Sequence, residues 1–175
     1  MNSLIAYFSR AGKNYVKGDI VDLPVGNTAI IAQEIKELTG GDLFQIRTKV
    51  DYPADYRQTT EVAREELNND ARPELAEKLD SLADYDVIYL GYPNWCGTMP
   101  MAVFAFIESY DVTGKIIVPF CTHEGSGFGG SIYDLQRICA QAEVLSGIEI
   151  RGSEVNTPAT KQRLKNYLET ISLIK

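Results

Sequence analysis

Apolar residues along this chain fall into short unbroken runs separated by longer stretches of helical spacing. Leu4 to Phe8 is a strand-length apolar run stopped by Ser9-Arg10-Ala11-Gly12, the pattern of a buried strand ending in a turn. After an irregular stretch, Gly26-Asn27-Thr28 leads into Ile31, Ile35 and Leu38, spaced as one helix face, and Gly40-Gly41 stops the helix. Asp42 to Arg47 predicts a second strand and Asp51 to Tyr56 a proline-containing loop, followed by a charged, helix-favouring run over Thr60 to Asn69. Glu74 to Leu82 predicts a short amphipathic turn or helix. Tyr85 to Tyr92, closed by Pro93, reads as a central strand. Met101 to Ser109 predicts a mostly buried helix, Lys115 to Cys121 a β-branched strand, and Gly129 to Ala140 a helix carrying Ile132, Leu135 and Ile138. Glu143 to Ile150 is the last strand region, and Thr157 to Ile171 an amphipathic helix with Leu164, Leu168 and Ile171 on one face.

Strands alternating with helices imply parallel pairing and right-handed crossovers, so both faces of the sheet are covered and the fold is a doubly wound α/β three-layer sandwich. The 175 residues are enough for one sizeable core and short for two, which predicts a single domain over 1–175. In such sheets ligands sit beyond the carboxyl ends of the strands, where the winding reverses. The loops after Phe8, Tyr92 and Cys121 are therefore the places where chemistry is expected.

Charge and cysteine usage narrow the function classes. With 24 acidic against 17 basic residues the formal net charge is −7, which argues against nucleic acid or an anionic membrane as partner. Three cysteines without C-x-x-C spacing and a single histidine predict neither a disulfide scaffold nor a metal site, and fit a reducing cytoplasm. The segment Met1 to Ser9 has no basic region or long apolar core, so neither a signal peptide nor a membrane span is expected there.

Each of the three loops carries ligand-compatible chemistry beside a plainer reading. Ser9, Gly12, Asn14, Asn27 and Thr28 precede a helix, where hydroxyls, amides and free N–H groups converge on an anion, although Asn27 or Thr28 as a simple helix cap fits equally. No Walker loop is present, since Lys13 is followed by Asn14. Gly91-Tyr92-Pro93-Asn94-Trp95-Cys96-Gly97 holds the only tryptophan, which serves either as a flat wall for a heteroaromatic ring or as a packing plug. Thr122-His123-Glu124-Gly125-Ser126-Gly127-Phe128-Gly129-Gly130 has four glycines that let backbone amides approach a ligand or merely give mobility. For His123 a general acid, a hydrogen-bond donor to a ring carbonyl and a solvated loop residue all remain open. Cys96 lacks an evident activating base and is read as a contact or packing residue.

Tyr7-Phe8-Ser9 with Gly26-Asn27-Thr28, Gly91-Tyr92-Pro93-Asn94-Trp95 and Thr122-His123-Glu124-Gly125-Ser126-Gly127, three loops in order after three strands, resemble the flavodoxin-like family. The insertion of Lys13 to Val25 and the segment Asp51 to Tyr56 resemble a bacterial subgroup with an extended phosphate loop. The resemblance implies a five-stranded parallel sheet in the order 2-1-3-4-5 and non-covalently held flavin mononucleotide (FMN). It further implies that Ser9, Arg10, Asn14, Asn27 and Thr28 hold the phosphate, that Pro93, Asn94, Trp95, Cys96 and Gly97 line one side of the ring, and that Thr122, Glu124, Gly125, Ser126 and Gly127 line the other. An electron carrier between protein partners is the function so implied. The alternative is an FMN-dependent NAD(P)H:quinone or other small-molecule oxidoreductase, and a cofactor-free binding module is a third reading. Glu124 beside the ring is expected to lower the flavin's reduction potential.

Overall fold

A strand apolar on both faces belongs in the middle of a sheet. The computed structural model, which describes residues 1–173, places Val87–Pro93 there, buried from Val87 through Tyr92. In chain order the elements are β1 (Ser3–Tyr7), β2 (Gly12–Val16), β3 (Asp19–Leu23), α1 (Asn27–Thr39), β4 (Asp42–Gln45), α2 (Tyr56–Asn68) and β5 (Val87–Pro93). They continue with α3 (Met101–Ile107), β6 (Ile116–His123), α4 (Ser131–Ile138), β7 (Glu143–Val144), β8 (Ile148–Arg151), a 3-10 turn at Gly152–Glu154 and α5 (Pro158–Thr170). The main sheet is parallel throughout and ordered β4-β1-β5-β6, with β7 and β8 both on the outer edge of β6. This is the expected 2-1-3-4-5 winding with its fifth strand in two pieces.

The interruption has a cause in β6. Leu145 N donates to Ile117 O, so Ile117 turns its backbone groups to this edge and Pro119, two residues on, does the same. Proline has no N–H to give to the ladder. The neighbouring strand breaks opposite it, and Gly147, at φ 74°, passes so close that a Cβ there would lie 2.5 Å from Pro119 O.

Alternation along the strands divides the core into two layers. Leu4, Ala6, Ile88, Leu90, Ile117 and Cys121 face α3 and α4 through Phe104, Phe106 and Leu135, while Ile5, Tyr89, Val118, Phe120 and Ile150 face α1 and α5 through Ile31, Ile35, Leu164 and Leu168. The chain winds from β1 outward to β4, then returns to β5 on the other side of β1. The switch point therefore lies at the carboxyl ends of β1 and β5, where the loops of interest emerge.

Two segments depart from the sequence reading. Glu74 to Leu82 is not helical: Leu75 forms an antiparallel bridge to Thr48, with Lys49 N donating to Glu74 O and Ala76 N to Arg47 O. Burial of Leu75 and Leu82 beneath this extended path replaces a helix face. The stretch Lys13 to Val25, read as irregular, is mostly the hairpin β2–β3, whose turn residues Lys17 (φ 50°) and Gly18 (φ 91°) have the paired left-handed conformation that matches strand twist in two-residue turns. Helix α2 also begins earlier than Thr60, because the Asp55 carboxylate accepts from Gln58 N and caps it at Tyr56.

Candidate functional site

Where β1 ends, the chain passes under the start of α1. The helix cap position is Gly26, which has no side chain to offer, and Ser9 Oγ supplies the missing acceptor by taking the Ala29 N–H at 3.1 Å. The approach is so close that a Cβ on Gly26 would stand 2.2 Å from Ser9 Oγ. Asn27 and Thr28 thus open the helix without capping it by side-chain bonds. Instead Thr28 Oγ1 meets Thr122 Oγ1 at 2.7 Å, both side chains buried, and ties the first loop to the end of β6.

Hairpin β2–β3 stands beside this helix terminus. Asn14 Nδ2 donates to Arg10 O and Gly12 O, which fastens the hairpin's base, and Tyr15 stacks on Tyr56 of α2 with 6.3 Å between centroids. At the tip, Lys17 N donates to Glu124 Oε2 at 3.2 Å. Arg10, expected on the phosphate, also acts as a brace: its guanidinium donates to the carbonyls of Lys13, Pro53 and Ala54. Burial lowers its pKa, against the opposing influence of Tyr56 and Asp55.

The second and third loops are bolted together. Asn94 N donates to Thr122 O, Asn94 Nδ2 to Gly127 O, and Asn94 Oδ1 accepts from Gly97 N. Cys96 and Gly97 form a tight turn, both at positive φ, between the paired residues Trp95 and Thr98. Gly129 lies against this turn at φ 55°, and a Cβ there would come within 2.2 Å of Gly97 O. At least this glycine of the third loop serves close approach between loops. Trp95 meets Phe8 and Tyr52 edge-on at 5.1 and 5.0 Å, so it is anchored from behind by two rings.

These loops enclose a cavity of about 350 Å³. Ser9, Arg10, Asn14, Asn27 and Thr28 line it from the first loop, Pro93, Asn94 and Trp95 from the second, and Thr122, Glu124 and Ser126 from the third. Four residues expected on the site do not line it. Cys96 is exposed on its outward turn and lines a smaller side pocket with Thr59, Thr60 and Ala63, while Gly97 receives Gly130 N. Gly125 commits its N–H to His123 Nδ1, and Gly127 O is taken by Asn94. Tyr15 and His123, whose roles the sequence leaves open, and Tyr56, which it does not single out, join the lining. The alternation Asn14-Tyr15-Val16 against Ile20-Val21 around Lys17-Gly18 was the available signal for the hairpin that carries Tyr15.

Glu124 lines the cavity and is also tied to the scaffold. Oε2 accepts from the hairpin tip, and buried Oε1, without a hydrogen-bond partner, lies beside Gly152, whose Cβ would meet both it and Asn27 Nδ2 within 2.5 Å. The carboxylate thus lies close to Asn27 at the α1 terminus. His123 is likewise neither solvated nor free, with its side chain 7% exposed and Nε2 bonded to Glu149 Oε2. Among the described residues no cluster of three or more His, Cys, Asp or Glu is placed to hold a metal ion, and no helix is long and apolar enough to cross a membrane.

A doubly wound parallel sheet with a polar, aromatic-walled cavity at its switch point defines a protein of the class that binds nucleotide-like ligands there. The chain belongs to the flavodoxin family, whose model matches residues 20–171. Among solved structures it is similar to a Bacteroides eggerthii protein provisionally named a flavoprotein, at 26% identity over 98% of each chain and a TM-score of 0.76. A Bacteroides uniformis protein of the same provisional name is 27% identical over 96% of this chain and 97% of that one, with a TM-score of 0.75. A Lactobacillus acidophilus flavoprotein solved in complex with FMN shares the fold at 20% identity, covering 90% and 98% of the two chains, with a TM-score of 0.62. No curated protein matches the sequence.

Proposed function

We propose that this protein binds FMN non-covalently in the three-loop cavity and acts as an electron carrier. The observation that carries the reading is the convergence of three chemically different walls on one space at the switch point. The α1 terminus, Ser9 and Asn27 supply neutral donors and the positive end of a helix dipole, suited to a phosphate. Pro93 and Trp95 supply a flat apolar wall suited to a ring system, and Ser126 of the third loop adds a hydroxyl to the lining. Arg10 lines the same cavity while its guanidinium donates to the carbonyls of Pro53 and Ala54.

Bound FMN would supply one- or two-electron transfer, and the protein's part is to hold and orient it and to exclude water from the ring. Ser9 and Asn27 would hold the phosphate end, Tyr15 and Tyr56 would close the hairpin side, and Trp95 would press on the ring. The carrier reading is favoured over a reductase because His123, the one histidine, spends both ring nitrogens on the protein. The absorption spectrum of the purified protein, with and without added FMN, tests the cofactor. A flavin band and FMN released on denaturation support the reading, and a colourless protein that leaves the FMN spectrum unchanged refutes it. Rapid NAD(P)H-dependent quinone reduction without a separate reductase would replace the carrier with an enzyme.

A further inference from the structure

His123 ends β6 with its side chain almost wholly buried, beside the cavity yet bonded away from it. Nδ1 accepts the Gly125 N–H at 2.8 Å, and Nε2 faces Glu149 Oε2. A nitrogen that accepts has no proton, and one that faces a carboxylate donates, so the two bonds together select the neutral tautomer with its hydrogen on Nε2. Gly125 is at φ 139°, a conformation closed to most side chains, and its N–H is the first hold on the loop. Asn94 Nδ2 on Gly127 O is the second. Ser126, which lines the cavity, is presented between them.

We infer that His123 is a positioning residue: as the neutral Nε2–H tautomer it fixes the Gly125–Gly127 segment in the shape that faces the cofactor. The inference rests on the FMN reading for its effect on binding, and on the hydrogen bonds alone for its effect on the loop. Without an acceptor at position 123 the Gly125 N–H would lose its partner, and the loop one of its two holds.

Two isosteres separate the ring nitrogens. In His123→Asn, Oδ1 stands in for Nδ1 and accepts from Gly125, while His123→Gln places its amide near Nε2 and leaves Gly125 without an acceptor. The dissociation constant for FMN, read from quenching of flavin fluorescence, is expected to rise roughly tenfold in His123→Gln, the scale of one lost hydrogen bond, and by less in His123→Asn. Wild-type-like binding by the Gln variant, or an Asn variant as weak as Gln, overturns the effect on binding. Nitrogen-15 spectra of the FMN-free protein decide the loop independently. A hydrogen on Nε2 and none on Nδ1, with a Gly125 amide signal shifted in the Gln variant and held near its wild-type place in the Asn variant, supports the inference. The opposite tautomer or a Gly125 signal that is the same in all three proteins overturns it, and a wild type that binds no FMN overturns the cofactor reading while these spectra still decide the loop.

Discussion

Replacing Trp95 by alanine separates a packing plug from a cofactor wall. Phe8, Tyr52 and Trp95 form a mutually edge-on trio with centroid distances of 5.0 to 5.9 Å, and truncation removes two of its three contacts. At roughly 0.5 to 1.5 kcal/mol for each such pair beyond area burial, the loss is about 1 to 3 kcal/mol of folding stability. In a chain of this size each kcal/mol moves the melting temperature by about 2 to 4 °C, so the cofactor-free variant should melt about 2 to 12 °C lower. If the same ring presses on FMN, affinity falls by a further 1 to 3 kcal/mol, or about 5- to 150-fold, while Trp95→Phe keeps part of both effects. Calorimetric melting of the cofactor-free protein and FMN titration measure the two quantities separately. A lowered melting temperature with unchanged FMN affinity would make Trp95 a plug alone, and an unchanged melting temperature would refute the energetic weight given to the aromatic trio.

Arg10→Ala is expected to weaken FMN and riboflavin by the same factor, because Arg10 braces the hairpin and the Pro53–Ala54 loop; selective loss of FMN binding would restore it to the phosphate. Gly129→Ala forces a Cβ to within 2.2 Å of Gly97 O at positive φ and should cost more than the about 1 to 3 kcal/mol of backbone strain alone, whereas Gly97→Ala, with open space around it, should cost no more than that strain. Equal melting temperatures for the two variants would count against the close loop contact. Burial raises the Glu66 carboxyl's pKa, opposed by the Tyr52 hydroxyl that donates to it, so its stabilising contribution belongs to the protonated form and is lost as pH rises through the folded-state value. Glu66→Gln should therefore melt higher than the wild type at pH 7, with the difference shrinking toward pH 4; a difference that is constant with pH would refute this.

Much of the fold could be read from the sequence because it depends on local periodicity. The short unbroken apolar run Val87 to Leu90, closed by Gly91 and Pro93, reads as a central strand, and the spacing of Ile31 and Ile35, or of Leu164 and Leu168, commits each helix to one face of the sheet. Strand alternation with helices then dictated parallel pairing, and parallel pairing put the ligand loops at one end. Where local pattern is weak, partners far along the chain took over. Leu75 looked like part of a helix until Thr48 gave it a strand to pair with, and the last strand looked continuous until Pro119 withheld a hydrogen bond from it.

The loops show the same division more sharply. Their residue types, a serine and an uncapped helix start, a tryptophan beside proline, a run of glycines, were determined by the sequence and placed the cavity correctly among the strand ends. The tertiary structure decided what each group does, because a side chain's free donors and acceptors are known only after its long-range partners are. Arg10 is claimed by carbonyls 43 and 44 residues away, Glu124 by a hairpin tip 107 residues away, and His123 by a carboxylate on β8. Composition can nominate a charged or titratable residue, but only the folded chain, by satisfying or leaving open its hydrogen bonds, determines whether that residue faces a ligand or holds the scaffold that does.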